Sequence, residues 1–328
     1  MKLPWLKSTE EGWRKQVAHG RVPHAILLFG AAGIGKRSTA AWLAQERLGL
    51  PGADAGPVYP LVRPEHADLR WISPLEDKKT VGIDQIRALV ADLNLTSFAG
   101  GGKVAVIEPA NAMTAEAANS LLKTLEEPPG DALLILVADR MGKLPATILS
   151  RCQRVNVAVP DEALSLSWLD RVQPATAWAD ALRLAGAAPL AAITAIEHLD
   201  QASAMMSEFA ALPVGLASPI DIAARWSKYE PEFWLQWLSR AVQQCIRRVS
   251  VGALGPFGGG IPDSVLRRID RRNLFCYLDI INGLRGQAAG SFNVQLALES
   301  LLIDWAGGLK DCHRSYHPGE QLPVANSR

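Results

Sequence analysis

No two cysteines of this sequence stand close together. Cys152, Cys245, Cys276 and Cys312 are scattered, with no Cys-x-x-Cys pair among them. A structural zinc site draws its ligands from such pairs, and a disulfide framework needs a denser set, so neither is expected to organise the chain. The four thiols fit a reducing compartment. The sequence also lacks any run of about 18 uncharged apolar residues, so no segment reads as a membrane span. Its start, MKLPWLKSTEEGW, has no apolar stretch followed by a small-residue cleavage site. No secretory signal is therefore expected, and the predicted location is the cytoplasm. An excess of charge is missing too. Lys and Arg number 34 against 33 Asp and Glu, a formal net charge of +1. A tight DNA binder carries a basic surplus to neutralise phosphates, so this balance leaves room only for local patches. Internal repeats are absent.

What the chain has is a globular composition, 48% apolar and 20% charged, over 328 residues. That length exceeds a single core and predicts two or three domains. In the first 160 residues, strand-like and helix-like patterns alternate. AILLF (25–29), KVAVIE (103–108) and ALLILVA (132–138) are short, nearly unbroken apolar runs. Such runs are strands of a parallel sheet covered on both faces. Helices are expected over 36–48, 83–95 and 114–127. The last should start at a Thr114 N-cap, with Glu116 suiting the helix dipole, and stop at Pro128 and Pro129. Ala117, Ala118, Leu121, Leu122 and Leu125 form its inward stripe.

Beyond residue 160 the strand patterns vanish. Residues 161–205 read as short Ala- and Leu-rich helices interrupted by Pro174 and Pro189. From 206 onward longer helices are expected near 230–250, 263–285 and 293–309, with Trp226, Trp234 and Trp237 packing between them. GALGPFGGGIP (252–262) reads as a loop and the polar tail 313–328 as disordered. The predicted organisation is an α/β domain over 1–160, a set of short helices over 161–205 that the resemblance below makes a lid, and an all-α domain over 206–312.

Gly30, Gly33, Gly35 and Lys36 have the spacing of a phosphate-binding loop between a strand and a helix. There, backbone N–H groups converge on phosphate oxygens and the lysine reaches the outer ones. The next residue should offer a hydroxyl to Mg²⁺, yet it is Arg37. Ser38 is rotated by about 100° on the helix and does not replace it. The second apolar run should end in two acids of a Walker B element, but it ends in Glu108 and Pro109. On the residues alone, Glu108 is either a vestigial metal carboxylate or an ordinary strand-end acid. With both the hydroxyl and the second acid missing, hydrolysis is not expected, and whether the loop still holds nucleotide stays open.

ANSLLKTLEEPP, followed by LPATILSRCQ, resembles the clamp-loader branch of the AAA+ family. The resemblance begins at VPHAILLFGAAGIGKR, covers residues 20–160 and continues more weakly through GAAPLAAI (186–193). It implies a P-loop α/β domain, a small helical lid and a helical collar that holds subunits in a ring. It further implies the role of a rigid, non-hydrolysing stator within a DNA polymerase III holoenzyme. Partners would be the motor subunits (tau and gamma) and a delta subunit, with the sliding clamp and primer–template DNA reached indirectly. Arg151, flanked by Ser150 and Cys152 in the SRC triplet, would be a trans-acting arginine finger on ATP held next door. Arg154 would be a plain surface charge. Two departures from active relatives fit that role. Pro189 stands near the place of a lid arginine, and Ala138 and Asp139 replace a polar strand-end sensor. Many relatives carry a four-cysteine zinc module where residues 47–74 have none, and His66 alone cannot hold the metal. Either a module folding without metal or, the favoured reading, a Pro-rich loop is expected there, with no zinc and no required cofactor. The competing readings are an active AAA+ ATPase motor, resting only on Gly30–Lys36, and a P-loop kinase of small metabolites.

Overall fold

The computed structural model describes residues 1–76, 78–139, 141–174, 176–251, 261–285 and 293–310. The chain divides into two compact units, residues 1–194 and residues from 195 onward.

In the first unit five strands form one parallel sheet: β1 (Ala25–Phe29), β2 (Leu69–Ile72), β3 (Val104–Ile107), β4 (Leu133–Ala138) and β5 (Gln153–Asn156), in the order β2-β3-β4-β1-β5. The three central strands are the apolar runs seen in the sequence, and nearly every residue in them is buried. Both faces are covered. Helices α1 (Lys7–Ala18) and α2 (Lys36–Leu48) place Trp13, Trp42 and Leu43 against Ile26, Leu28 and Val106 on one side. On the other, α3 (Ile83–Leu93) and α4 (Ala115–Glu126) place Ile86, Leu89, Leu121 and Leu125 against Leu27, Ala105 and Leu134. This is the three-layer α/β domain, a parallel sheet between helices, that the alternating patterns predict. Thr114 caps α4 as predicted, its hydroxyl oxygen accepting the Ala117 N–H at 3.2 Å.

The edge strands were not apparent from the sequence. β2 (LRWI) and β5 (QRVN) pair on one side only and leave most side chains partly exposed, so they carry no unbroken apolar run. The stretch 47–74 is accordingly not all loop, since it contributes β2. His66 turns inward on its own chain, where its Nδ1 accepts the Asp68 N–H at 3.1 Å.

After β4 come the short α5 (Ala146–Leu149), then α6 (Glu162–Val172), α7 (Trp178–Leu184) and α8 (Pro189–Ala195). The second unit holds α9 (Leu199–Ala211), α10 (Pro219–Trp226), α11 (Pro231–Val251), α12 (Asp263–Leu266), α13 (Arg271–Arg285) and α14 (Val294–Ala306). The boundary expected at 205/206 falls inside α9, and the structure divides the chain at 194/195 instead. The cause is α9 itself, which buries Ala202, Met205, Met206 and Phe209 along one continuous face. Phe209 stacks on Trp305 (centroids 4.2 Å apart), and Trp237 meets both Phe209 and Trp226 edge-on. Trp226, Trp234 and Trp237 are all buried, as the sequence predicts. Most of the 252–262 loop and the 313–328 tail lie outside the described residues.

Candidate functional site: a phosphate loop filled by its own chain

The loop leaves the C-terminal end of β1 and enters α2. Gly30 and Gly33 hold positive φ (145° and 77°), which side chains rarely adopt. Space requires glycine as well: a Cβ on Gly30 would lie 2.3 Å from the Val157 carbonyl oxygen, and one on Gly33 would lie 2.5 Å from the Ala191 Cβ. Ala191 belongs to α8, and the Leu190 N–H donates to the Gly33 carbonyl at 2.9 Å. From the other side Trp5 donates its indole N–H to the Ile34 carbonyl at 2.8 Å, and Leu3 and Leu6 crowd Gly35. The loop is thus clamped by the N-terminal segment and by α8.

Lys36 is 4% exposed. Its ammonium donates to the carbonyls of Gly30 (2.8 Å) and Ala31 (2.5 Å) and pairs with Asp139 Oδ1 at 2.7 Å. All three ammonium protons therefore have acceptors within the chain. Asp139 follows β4, at the position where the resemblance implies a polar sensor. It supplies the negative charge that a phosphate would otherwise bring.

A second pair answers the first. Arg37 Nε donates to Glu108 Oε1 at 2.6 Å. The other carboxylate oxygen accepts the Trp71 indole N–H at 3.1 Å and lies 3.5 Å from Arg63 Nη2, whose guanidinium stacks 4.9 Å over the Trp71 ring. Glu108 thus stands just past the C-terminal end of β3, with both carboxylate oxygens facing N–H donors. A magnesium–nucleotide needs a hydroxyl after the lysine, a free carboxylate and a free ammonium. The residues present do not fit it. Gly30, Gly33, Gly35, Lys36 and Glu108, singled out in the sequence, lie together here. Sequence reasoning missed Arg37, Asp139, Arg63 and Trp71 as partners, although the opposite charges of Arg37 and Glu108 were a usable signal.

Arg151 is elsewhere. It precedes β5, so it lies at the opposite end of the parallel sheet from the loop that follows β1. By the β1–β5 register it stands level with residue 24, six residues short of Gly30, or roughly 20 Å along the strands. Its Nε donates to Glu126 Oε1 at 2.7 Å, Nη2 contacts the same oxygen, and Nη1 donates to the Thr147 carbonyl at 3.0 Å and to Ser150 Oγ at 3.3 Å. Its guanidinium is thereby oriented while a third of the side chain stays exposed. Cys152 turns inward, and burial pushes its thiol up to about 11. Of the SRC triplet, Cys152 is a core residue, Ser150 is exposed and accepts from the arginine, and Arg151 is partly exposed and held by Glu126. Arg154 is exposed on β5. Among the described residues no single helix is long and apolar enough to cross a membrane.

Residues 5–161 match the family model described as DNA polymerase III, delta subunit. A DNA polymerase III subunit delta' from Pseudomonas aeruginosa is 39% identical over 198 residues, 58% of this chain and 60% of that protein. The subunit delta' of Escherichia coli K12 is 29% identical over 254 residues, covering 75% and 76%. A DNA polymerase III subunit tau from Salmonella typhimurium is 30% identical over 145 residues, 43% of this chain and 23% of that protein. The match to the Pseudomonas protein thus spans less than two thirds of its length. The stretch matched by the family model holds the phosphate loop, Glu108 and Arg151 together, and over it the chain is similar to DNA polymerase III delta' subunits.

Proposed function

We propose that the chain is a non-hydrolysing stator subunit of a cytoplasmic DNA polymerase III clamp loader, needing neither bound nucleotide nor zinc. In this reading the helical second unit joins tau or gamma motor subunits and a delta subunit. The complex then brings the sliding clamp to primer–template DNA, and Arg151 serves ATP held by a neighbouring motor subunit. The observation that carries the reading is the pair of internal ion pairs, Lys36–Asp139 and Arg37–Glu108, which put the chain's own charges where phosphate and metal would sit. The position of Arg151, at the opposite sheet end from its own loop, supports action in trans. Calorimetric titration of the purified chain with ATP and Mg²⁺, beside a steady-state hydrolysis assay, tests it. No binding heat and no turnover above background are expected. A kcat on the order of 1 s⁻¹, abolished by Lys36→Ala, would return the chain to the active motors.

A further inference from the structure

The second unit gathers four arginines into six consecutive positions, Arg267, Arg268, Arg271 and Arg272, between the end of α12 and the first turn of α13, and all four are exposed. The acids nearest in sequence are already engaged. Asp263 accepts from Arg248 Nη2 at 2.5 Å, and Asp270 Oδ1 accepts the Arg272 backbone N–H at 2.7 Å. Among the described residues no carboxylate forms an ion pair with any of the four. Folding gives no reason for them either. Arg271 and Arg272 open a 15-residue helix whose first turn holds no acid. Two cations there face the positive end of the helix dipole, with the Asp270 carboxylate bonded to the Arg272 backbone N–H beside them. A chain of nearly balanced charge thus keeps a dense cationic patch.

Phe275 follows on the same helix and is 48% exposed. Spacings of three and four residues set it on the face of Arg272 and Arg271. Guanidinium forks match phosphate oxygens, and an exposed ring offers a stacking surface for an unpaired base. We propose that this patch of the second unit binds single-stranded nucleic acid, with the arginines tracking the phosphates and Phe275 stacking a base. Duplex DNA keeps its base faces inside the stack, and an acidic protein surface has no base to stack. The proposal does not depend on how the phosphate loop is read.

The test is anisotropy of a labelled oligo-dT of about 20 nucleotides, a length spanning more than one single-strand site, against the full chain at several salt concentrations. A duplex of the same length and polyglutamate serve as competitors. Oligo-dT should bind better than either competitor. Phe275→Ala should weaken binding on the order of tenfold at an unchanged salt slope. Arg271→Ala/Arg272→Ala should lower the log–log salt slope by about 1.4, at 0.7 per lost phosphate contact, and should melt no lower than the parent. If that pair did melt lower, Arg267→Ala/Arg268→Ala, outside the helix, must give the same loss of slope. No binding at low salt, duplex competing equally with Phe275→Ala silent, or polyglutamate displacing oligo-dT at equal charge would each overturn the proposal.

Discussion

Arg37 stands where a hydroxyl would hold magnesium, and its guanidinium reaches the carboxylate that would hold the same ion. Lys36 and Glu108 were legible because a loop between strand and helix, and a strand-end acid, are local patterns. Their partners were not, because Asp139 and Arg37 each meet their counterpart only once β1, β3 and β4 lie side by side. The double variant Arg37→Thr/Asp139→Asn restores the hydroxyl, frees Glu108 Oε1 and releases the Lys36 ammonium. It should bind magnesium–ATP measurably by calorimetry where the parent does not, and still fail to turn it over, since Pro109 offers no second acid. If no affinity appears, the block lies in the Leu190 and Ala191 cover over Gly33 rather than in the charges. Cys152 allows a pH test on the same unit. Its thiol, raised to about 11 by burial, lies above the ordinary value of about 8.5. The stability tied to it is therefore fully present below the unfolded value and lost as pH rises through the folded one. Melting of the native chain should fall from pH 9 toward 11, and Cys152→Ala should flatten part of that fall. An identical slope in the variant would remove Cys152 as a cause.

Elements were legible in proportion to how completely they are buried or capped. The central strands are covered on both faces and announce themselves as apolar runs. β2 and β5 are edges whose polar side chains meet solvent or partners outside the strand, such as Asp92, which accepts from Arg70 at 2.7 Å. Periodicity does not mark such strands. α4 shows the opposite case, with cap, dipole acid and stop all written locally. Its Glu116 carboxyl is held below the usual range first by its own backbone N–H and then by the Thr114 hydroxyl. Thr114→Ala leaves the Ala117 N–H without its acceptor and should cost about 1 kcal/mol. That corresponds to roughly 2–4 °C in the melting of the first unit. Thr114→Asn, an equally good cap, should melt near the parent. If both variants melt alike, the cap bond contributes nothing there. The misplaced boundary at 205/206 has a similar origin. Ala- and Leu-rich sequence looks alike on either side of it, and only the shared buried face of Met205, Met206 and Phe209 shows one helix running through.

At the scale of the whole molecule, the parallel sheet separates two functions by its direction. The phosphate loop, Glu108 and Asp139 follow the C-terminal ends of β1, β3 and β4, whereas Arg151 and Glu126 sit before the N-terminal ends of β5 and β4. With six residues of strand register between the levels of Arg151 and Gly30, roughly 20 Å, the guanidinium has no route to its own loop. In the proposed function it acts on a nucleotide presented by another subunit. Glu126, Thr147 and Ser150 hold it in one orientation until then. Arg151→Ala should therefore leave the chain folded and the complex assembled, and lower ATP hydrolysis at the one motor site bordering this subunit. The loss there should be about 10³-fold, close to 4 kcal/mol. Total turnover falls by less, because the other motor sites keep their own fingers. Arg151→Lys should rescue poorly, since an ammonium lacks the planar fork. Glu126→Gln separates holding from acting: it loosens the orientation but keeps the finger, so its effect should be far smaller than that of Arg151→Ala. Arg154→Ala is the internal control, a cation three residues on that is exposed on β5. If Arg151→Ala and Arg154→Ala lowered clamp loading equally in a reconstituted complex, the patch would act by bulk charge and the finger assignment would fall.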